Sequence, residues 1–248
     1  MKAVILAAGI ASRLRPLTDN TPKCLLKVGN KNILELTIEN LLENNLQDIT
    51  IVTGYLENQI RDFMKVRFPE LNITYIHNKL YSSTNNIYSL WLVRNSVLGN
   101  DMLMMDSDIV FDEHIISKLI NSGYKNCLAL KRHNVLDEEI KVKVDSKGRV
   151  LEIGKNVNPS VAAGESIGIE IFDKKTLAVL YEILDRKIVN NKSVNEFYEA
   201  AFQDLVNSGS DLYIVDSTEY SCMEIDTESD LKAAELLLSN IGHQNNFF

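Results

Sequence analysis

The sequence has few cysteines, no long apolar run and no histidine cluster. Its three cysteines, Cys24, Cys127 and Cys222, lie far apart and match neither a disulfide framework nor a zinc-binding spacing. A reducing, cytoplasmic setting is therefore expected. The four histidines show no ligand spacing either, and none is expected to be catalytic.

The sequence also lacks an excess of positive charge and a membrane-spanning segment. The formal net charge is -8, which argues against nucleic acid as the main partner. No apolar run approaches the ~20 residues that cross a bilayer, so no membrane partner is expected. An apolar segment follows Lys2 directly, and no signal peptide is visible.

What the sequence does contain is an alternation of apolar strand and helix patterns. The 248 residues are 45% hydrophobic, enough for a substantial core. Apolar periodicity predicts a helix over 31–45, a strand over Asp48–Thr53, a helix over 56–67 that Pro69 stops, and a strand over Asn72–Ile76. This alternation predicts an α/β fold, a Rossmann-like doubly wound mixed sheet that is mostly parallel.

The second half of the chain changes character. A central strand over Asp101–Met105 and a strand over Lys125–Lys131 are followed by charged and apolar residues in alternation. This alternation predicts a smaller antiparallel part that begins with a hairpin of Asp137–Asp145 and Arg149–Ile153. Further predicted elements are a helix over 113–121, a strand over Gly164–Ile169, helices over 173–189 and 194–208, and a strand over Leu212–Val215.

The N-terminal segment Met1–Val28 is the most informative stretch. A buried strand runs into Ala7-Ala8-Gly9, and a polar loop with Arg13 and Lys23 follows. A small-residue turn after a strand exposes backbone N–H groups to phosphate in α/β folds. Each part alone is ordinary, because such turns and solvated cations are common. Their combination in a long loop with little to bury favours a phosphate site.

Acidic residues follow two predicted strands. Asp106 and Asp108 come after the central strand, where carboxylates need a counter-charge that a divalent cation can supply. The alternative is that they are turn or helix-cap residues. Near the C-terminus, Glu224 and Asp226 are predicted to alternate on one face of a strand, and Thr227 to cap the next helix.

Four short motifs resemble the signature loop of the nucleotidyltransferase family: Leu6-Ala7-Ala8-Gly9, Arg13, Pro16-Leu17-Thr18 and Pro22-Lys23-Cys24-Leu25. The resemblance implies a nucleoside triphosphate site with Arg13 and Lys23 as catalytic residues. The implied nucleotide-binding set is Leu6, Ala7, Ala8, Gly9, Ala11, Ser12, Arg13, Lys23 and Asp106. It also implies Mg²⁺ held by Asp108 and Asp226, with Glu224 as a further candidate. Ala11 stands where the family usually has a second glycine, and its Cβ restricts φ.

A second stretch, Asn85-Asn86-Ile87-Tyr88-Ser89-Leu90, resembles the phosphocholine cytidylyltransferase branch of that family. The acceptor-binding candidates are Asn85, Asn86, Tyr88, Lys155, Glu165 and Tyr198. Their ordinary alternatives are a helix cap, helix surface and solvated charges. One domain over 1–248 is expected, with residues 1–131 binding nucleotide and residues 132–240 binding the acceptor and closing the metal site.

The resemblance implies transfer of CMP from CTP to a small phosphorylated amine or phosphonate, with release of pyrophosphate. A sugar-1-phosphate nucleotidyltransferase is the alternative enzyme. A non-catalytic nucleotide-sensing subunit is the alternative of another class, although the chain retains Arg13, Lys23, Asp108 and Asp226. A homodimer is one option for the assembly, and the tail after Asn240 is expected either to be disordered or to dock on a partner chain.

Overall fold

The computed structural model describes residues 1–244, and the side chains of residues 1–237. The strands are β1 (Lys2–Ala7), β2 (Lys27–Val28), β3 (Lys31–Asn32), β4 (Ile49–Thr53), β5 (Thr74–His77), β6 (Met102–Asp106), β7 (Ile109–Phe111), β8 (Cys127–Lys131), β9 (Lys141–Val144), β10 (Val150–Gly154), β11 (Gly164–Phe172), β12 (Tyr213–Asp216) and β13 (Cys222–Glu224).

The helices connect these strands on both faces of the sheet. They are α1 (Ile33–Glu43), α2 (Glu57–Arg67), α3 (Asn86–Leu92), α4 (Arg94–Val97), α5 (His114–Ile120), α6 (Lys174–Asp185), α7 (Glu199–Asn207) and α8 (Glu228–Gln244). Short 3-10 turns occur at Ser12–Leu14, Lys23–Leu25 and Pro159–Val161, and a π-helical turn at Arg186–Asn190 extends α6. Among the described helices, none is both long and apolar enough to cross a membrane.

The main sheet combines a parallel and an antiparallel part. Strands β5, β4, β1 and β6 lie side by side and pair in parallel. Strand β11 pairs antiparallel with β6, β8 and β9, and the hairpin of β9 and β10 completes that side. β12 adds a parallel pair to β8. The predicted fold class, a doubly wound mixed sheet with a smaller antiparallel part, is confirmed.

The side-chain alternation of β1 shows how the core forms. Ala3, Ile5 and Ala7 point into a core with α1, α2 and α5, whereas Val4 and Leu6 point into a core with α3, α6 and α7. Because a strand places successive side chains on opposite faces, an entirely apolar strand must be covered on both sides. The buried run Ala3–Leu6 therefore fixes β1 at the centre of a three-layer structure.

Some boundaries differ from the predictions. The predicted helix over 194–208 is wrong at its start, because α7 begins at Glu199. The preceding segment is held by α3 instead: the Val194 carbonyl accepts from the backbone N–H of Asn85, and the Tyr198 N–H donates to the Asn86 side chain. These bonds take up backbone groups that a helix would use.

Two other segments depart from the expected strands. The first hairpin strand begins only at Lys141, because the buried Lys141 ammonium binds the carbonyls of Leu136, Asp137 and Glu139 and curls that segment. β13 ends at Glu224, so Asp226 lies in a turn and not on the same strand face. α8 covers the predicted tail as far as Gln244, and 245–248 lie outside the described residues.

Candidate active site

A cavity of about 960 Å³ opens where the strands of the parallel part end. Its lining includes Ala7 at the end of β1, Asp106 at the end of β6, and residues from the start of β11. Open α/β sheets bind ligands at the carboxyl ends of their parallel strands. The topology therefore brings the N-terminal loop, both acidic motifs and the antiparallel part to one place.

The N-terminal loop follows β1 and is tightly seated. The Tyr55 N–H donates to the Ala8 carbonyl at 3.1 Å. A Cβ on Gly54 would lie 2.6 Å from that carbonyl oxygen and 2.7 Å from the Cβ of Tyr81, so only glycine allows this approach.

Ala11 occupies the left-handed region of the backbone map, with φ of 52° and ψ of 53°. Its carbonyl accepts from the Leu14 N–H at 3.1 Å and from the Thr18 hydroxyl at 2.9 Å. These bonds hold the turn in a conformation that glycine adopts without strain. Ala11 therefore forms the turn that the motif predicts, but in a backbone conformation that is unfavourable for alanine.

Lys23 connects three distant parts of the chain. Its Nζ lies 2.6 Å from Asp108 Oδ2 and 2.9 Å from Asp226 Oδ1, and its side chain is only 11% exposed. Burial would lower the pKa of Lys23, but Asp108 and Asp226 outweigh it and raise that pKa above its ordinary value. Arg13 adds a second contact, with Nη2 2.7 Å from Asp226 Oδ2.

The carboxylates around Lys23 fit a divalent cation. Asp108, Glu224 and Asp226 each offer an oxygen, and these oxygens lie within 4.8 Å of one another. Burial and the charges of Asp108 and Asp226 raise the pKa of Glu224 to about 7. Three carboxylates this close together, two of which already share an ammonium group, are suited to a hard cation such as Mg²⁺.

Three further acids form what we call the inner acidic cluster: Asp106 and Glu199 line the cavity, and Glu170 on β11 interacts with both through its charge without lining the cavity. Asp106 accepts a hydrogen bond of 2.7 Å from the Tyr198 hydroxyl, and Glu170 one of 3.4 Å from the Ser166 hydroxyl. Glu170 and Glu199 are 1% and 7% exposed. Burial, followed by the neighbouring carboxylates, raises the pKa of Asp106 and of Glu170 well above the ordinary range.

Most of the residues predicted for nucleotide and metal binding line this cavity. Those residues are Leu6, Ala7, Ala8, Gly9, Ala11, Arg13, Lys23, Asp106, Asp108, Glu224 and Asp226. Ser12 does not line it. Cys24 does, but burial raises the pKa of its thiol to about 12, so it is an unreactive packing residue.

Five of the six residues predicted for acceptor binding line the cavity. They are Asn85, Asn86, Lys155, Glu165 and Tyr198. The Asn85 side chain caps α3, however, and the Tyr198 ring is fully buried with only its hydroxyl engaged at Asp106.

Tyr88 does not line the cavity. It packs on Trp91 with ring centroids 5.4 Å apart, and Trp91 donates to Asp185. Tyr88, which was predicted to bind the acceptor, therefore presents its ring to Trp91 and not to the cavity.

Several lining residues were not predicted. Phe197 lies under the Lys155 ammonium at 4.9 Å, and His133 lies 3.0 Å from Glu165. Glu170 beneath the cavity was also missed. Its signal was available as a single charge within the apolar strand Ile167–Phe172, which is costly unless the charge has a partner or a ligand.

Comparison with known proteins agrees with this geometry. The family model for nucleotidyl transferases matches residues 2–221, and the chain belongs to that family. It is therefore an enzyme of the nucleotidyltransferase class, and the non-catalytic alternative is not supported.

Two relatives match nearly the whole chain. The choline-phosphate cytidylyltransferase of Streptococcus pneumoniae is 30% identical over 97% of this chain and 99% of the relative. The CTP:phosphoglutamine cytidylyltransferase of Campylobacter jejuni is 29% identical over 94% of this chain and 98% of the relative. The solved CTP:phosphocholine cytidylyltransferase from S. pneumoniae superposes with a TM-score of 0.80 at 27% identity, covering 96% of this chain and 98% of that one. The suspected cytidylyltransferase branch is thereby confirmed as the one this chain resembles.

Proposed function

We propose that this protein transfers CMP from CTP to a small acceptor that carries a phosphate or phosphonate and an amine. The observation that carries the proposal is the convergence of Arg13, Lys23, Asp108 and Asp226 at one side of a cavity whose inner end is acidic. Relatives named for CTP and for phosphorylated or phosphonate acceptors support the choice of substrates.

In this proposal the N-terminal loop binds the nucleotide. The backbone at Ala8 and Gly9 lies against the nucleotide, and Arg13 and Lys23 neutralise the triphosphate and the departing pyrophosphate. Asp108 and Asp226, with Glu224, would hold Mg²⁺, which when bound neutralises phosphate charge. Residues 1–131 thus serve the nucleotide, and residues from 132 to 240 serve the acceptor and complete the metal site.

The acceptor supplies its own nucleophile. Its phosphate or phosphonate oxygen attacks the α-phosphorus of CTP in line, a new P–O bond forms, and the bond from the α-phosphorus to the bridging oxygen breaks. The electron pair leaves with pyrophosphate. Because the attacking oxygen is already anionic, no general base is needed, and catalysis rests on positioning and charge stabilisation. In this proposal Lys155, which lines the cavity, holds the acceptor phosphate.

Pyrophosphate release in the presence of Mg²⁺ tests the proposal. CTP, UTP, dTTP and ATP are each combined with phosphocholine, 2-aminoethylphosphonate and glucose 1-phosphate. We expect release with CTP and an amine-bearing acceptor, and a loss of about 100-fold or more in kcat for Lys23→Met.

Lys31→Met is the matched control, because Lys31 forms an ion pair with Glu39 outside the cavity lining. Its kcat should remain at the wild-type value. Release with UTP or dTTP and glucose 1-phosphate alone would replace the proposal with the sugar-nucleotide alternative.

A further inference from the structure

Among the described residues, one carboxylate oxygen of the cavity lining and another on strand β11 have no hydrogen-bond partner. Within the described residues, Glu170 Oε2 and Glu199 Oε2 are buried and unpaired. Glu199 is 7% exposed and lines the cavity, and Glu170 is 1% exposed. A buried carboxylate oxygen without a donor is unfavourable, so these atoms indicate a ligand that brings donors with it.

The electrostatics of the cluster favour a positively charged ligand. Glu170, Glu199 and Asp106 act on one another through their charges. Lys155 is the cation whose charge acts on Glu199, and it lies 3.2 Å from Glu138 and over the ring of Phe197. The protein itself thus supplies little positive charge to balance these acids in their ionised form, and a bound cation would favour that form.

Gly168 keeps this part of the cavity open. It lies in the irregular section of β11 between Ser166 and Glu170, with φ of 71°. A Cβ there would lie 2.7 Å from Asp106 Oδ2, so a side chain would displace the carboxylate that Tyr198 holds. The cluster is therefore fixed by a glycine, a tyrosine and a serine around it.

We infer that the inner acidic cluster binds the ammonium group of the acceptor through Glu199, with Glu170 acting on it through its charge, and that the cluster selects an amine that carries N–H donors over a quaternary amine. The inference rests on the proposed function, whose second substrate it specifies. Glu165, which was predicted as an acceptor-binding residue, is less suited to bind the amine, because its carboxylate is already paired with His133 at 3.0 Å.

The lining aromatic residues support the choice of an N–H donor. A quaternary ammonium is recognised by aromatic faces. Among the described residues that line the cavity, the phenyl and phenol rings are those of Tyr81, Phe197 and Tyr198. Lys155 covers Phe197, and Tyr198 packs on Phe202 with its hydroxyl directed to Asp106. Tyr81 packs on Tyr55 with ring centroids 6.2 Å apart. All three rings thus already have partners, whereas the buried Glu199 oxygen has no donor.

An isosteric pair of acceptors tests the inference in the unmodified enzyme. 2-Aminoethylphosphonate and propylphosphonate differ by an ammonium in place of a methyl group. With CTP and Mg²⁺, we expect kcat/KM to be about 10- to 100-fold higher for the amine, as charge-assisted hydrogen bonds imply. Phosphoethanolamine should likewise exceed phosphocholine.

Variants locate the effect. Glu199→Gln should reduce the preference for the amine by about tenfold or more, and Glu170→Gln should reduce it less, while KM for CTP changes less than about threefold. Both changes keep the shape of the side chain and remove an acid whose ionised form is unfavourable in this buried place, so melting temperatures should not fall. Glu182→Gln, on the exposed face of α6, is the control and should leave the preference unchanged.

The outcomes separate the two proposals. Equal turnover of the isosteric pair, a preference for phosphocholine, or an effect confined to Glu165→Gln would overturn the inference and leave cytidylyl transfer standing. Turnover of glucose 1-phosphate, but of no amine-bearing acceptor, would overturn the inference that the cluster binds a cationic group. No pyrophosphate release from CTP with any acceptor would overturn the proposed function and this inference together.

Discussion

Replacing Ala11 with glycine should stabilise this enzyme. Ala11 has φ of 52° and ψ of 53°, a conformation in which its Cβ approaches the following carbonyl. The hydrogen bonds from Leu14 and from the Thr18 hydroxyl hold the Ala11 carbonyl in place, so the turn cannot relax by rotating away. Ala11→Gly removes the steric conflict and leaves both bonds intact.

The expected size of the effect follows from two opposing contributions. The left-handed conformation costs an L-residue roughly 1–2 kcal/mol, and glycine loses about 0.5–1 kcal/mol more backbone entropy on folding than alanine. The net gain in the free energy of unfolding is therefore about 0.5–1 kcal/mol. For a chain of this size that is a rise of about 1–4 °C in melting temperature.

Thermal melting and urea unfolding measure this difference, with Ala162→Gly as the matched control. Ala162 has φ of -71°, which alanine adopts freely, so glycine there should lower the melting temperature. A fall in stability for both variants would refute the reasoning, because it would mean that the conformation of Ala11 stores no strain.

Three further predictions concern the loop, the metal carboxylates and the buried acids. Gly54→Ala should lower the free energy of unfolding by about 1–3 kcal/mol and raise KM for the nucleotide, because its Cβ would lie 2.6 Å from the Ala8 carbonyl oxygen. Thermal melting measures the loss, and Gly9→Ala is the control because a Cβ there meets nothing within 4 Å. Asp226→Asn should raise the Mg²⁺ concentration for half-maximal rate at least about tenfold, measured by titration against Glu228→Gln, and an unchanged titration would remove Asp226 from the metal site. Burial raises the pKa of Glu199 from 4.5 to about 7, so the folded state holds its proton more tightly and this contribution to stability is lost as pH rises from about 4.5 to 7. The free energy of unfolding of the wild type should thus fall between pH 5 and pH 8 by up to about 3 kcal/mol more than that of Glu199→Gln, and parallel curves would contradict the shift.

Much of the fold follows from local patterns. The apolar run of β1, the capped helices and the alternation of strand and helix were sufficient to predict the doubly wound sheet, because each of these signals acts over a few residues. The N-terminal loop was also recognisable, since Arg13 and Lys23 stand in a stretch with few apolar side chains.

The remaining features depend on contacts between distant segments. The helix predicted from residue 194 starts only at Glu199 because the Val194 carbonyl is used by Asn85, 109 positions earlier by residue number. The helical repeat explains why Tyr88 does not line the cavity. Asn86 and Ser89, three positions apart, lie on the face of α3 that lines it, so Tyr88 lies on another face. Glu170 gave only a weak signal, because one charge within an apolar strand has no periodicity and does not show which other acids lie beside it.

The bridge made by Lys23 has a consequence for the order in which the enzyme becomes competent during synthesis. Its two carboxylate partners lie 85 and 203 positions further along the chain. Contacts of such long sequence separation form late, because the intervening chain must be ordered first. A nascent chain can thus build the parallel sheet and the loop that carries Lys23 well before Asp226 leaves the ribosome. The loop that carries Lys23 therefore exists before its ion pairs do, and the segment that carries Asp226 decides when the proposed site is complete.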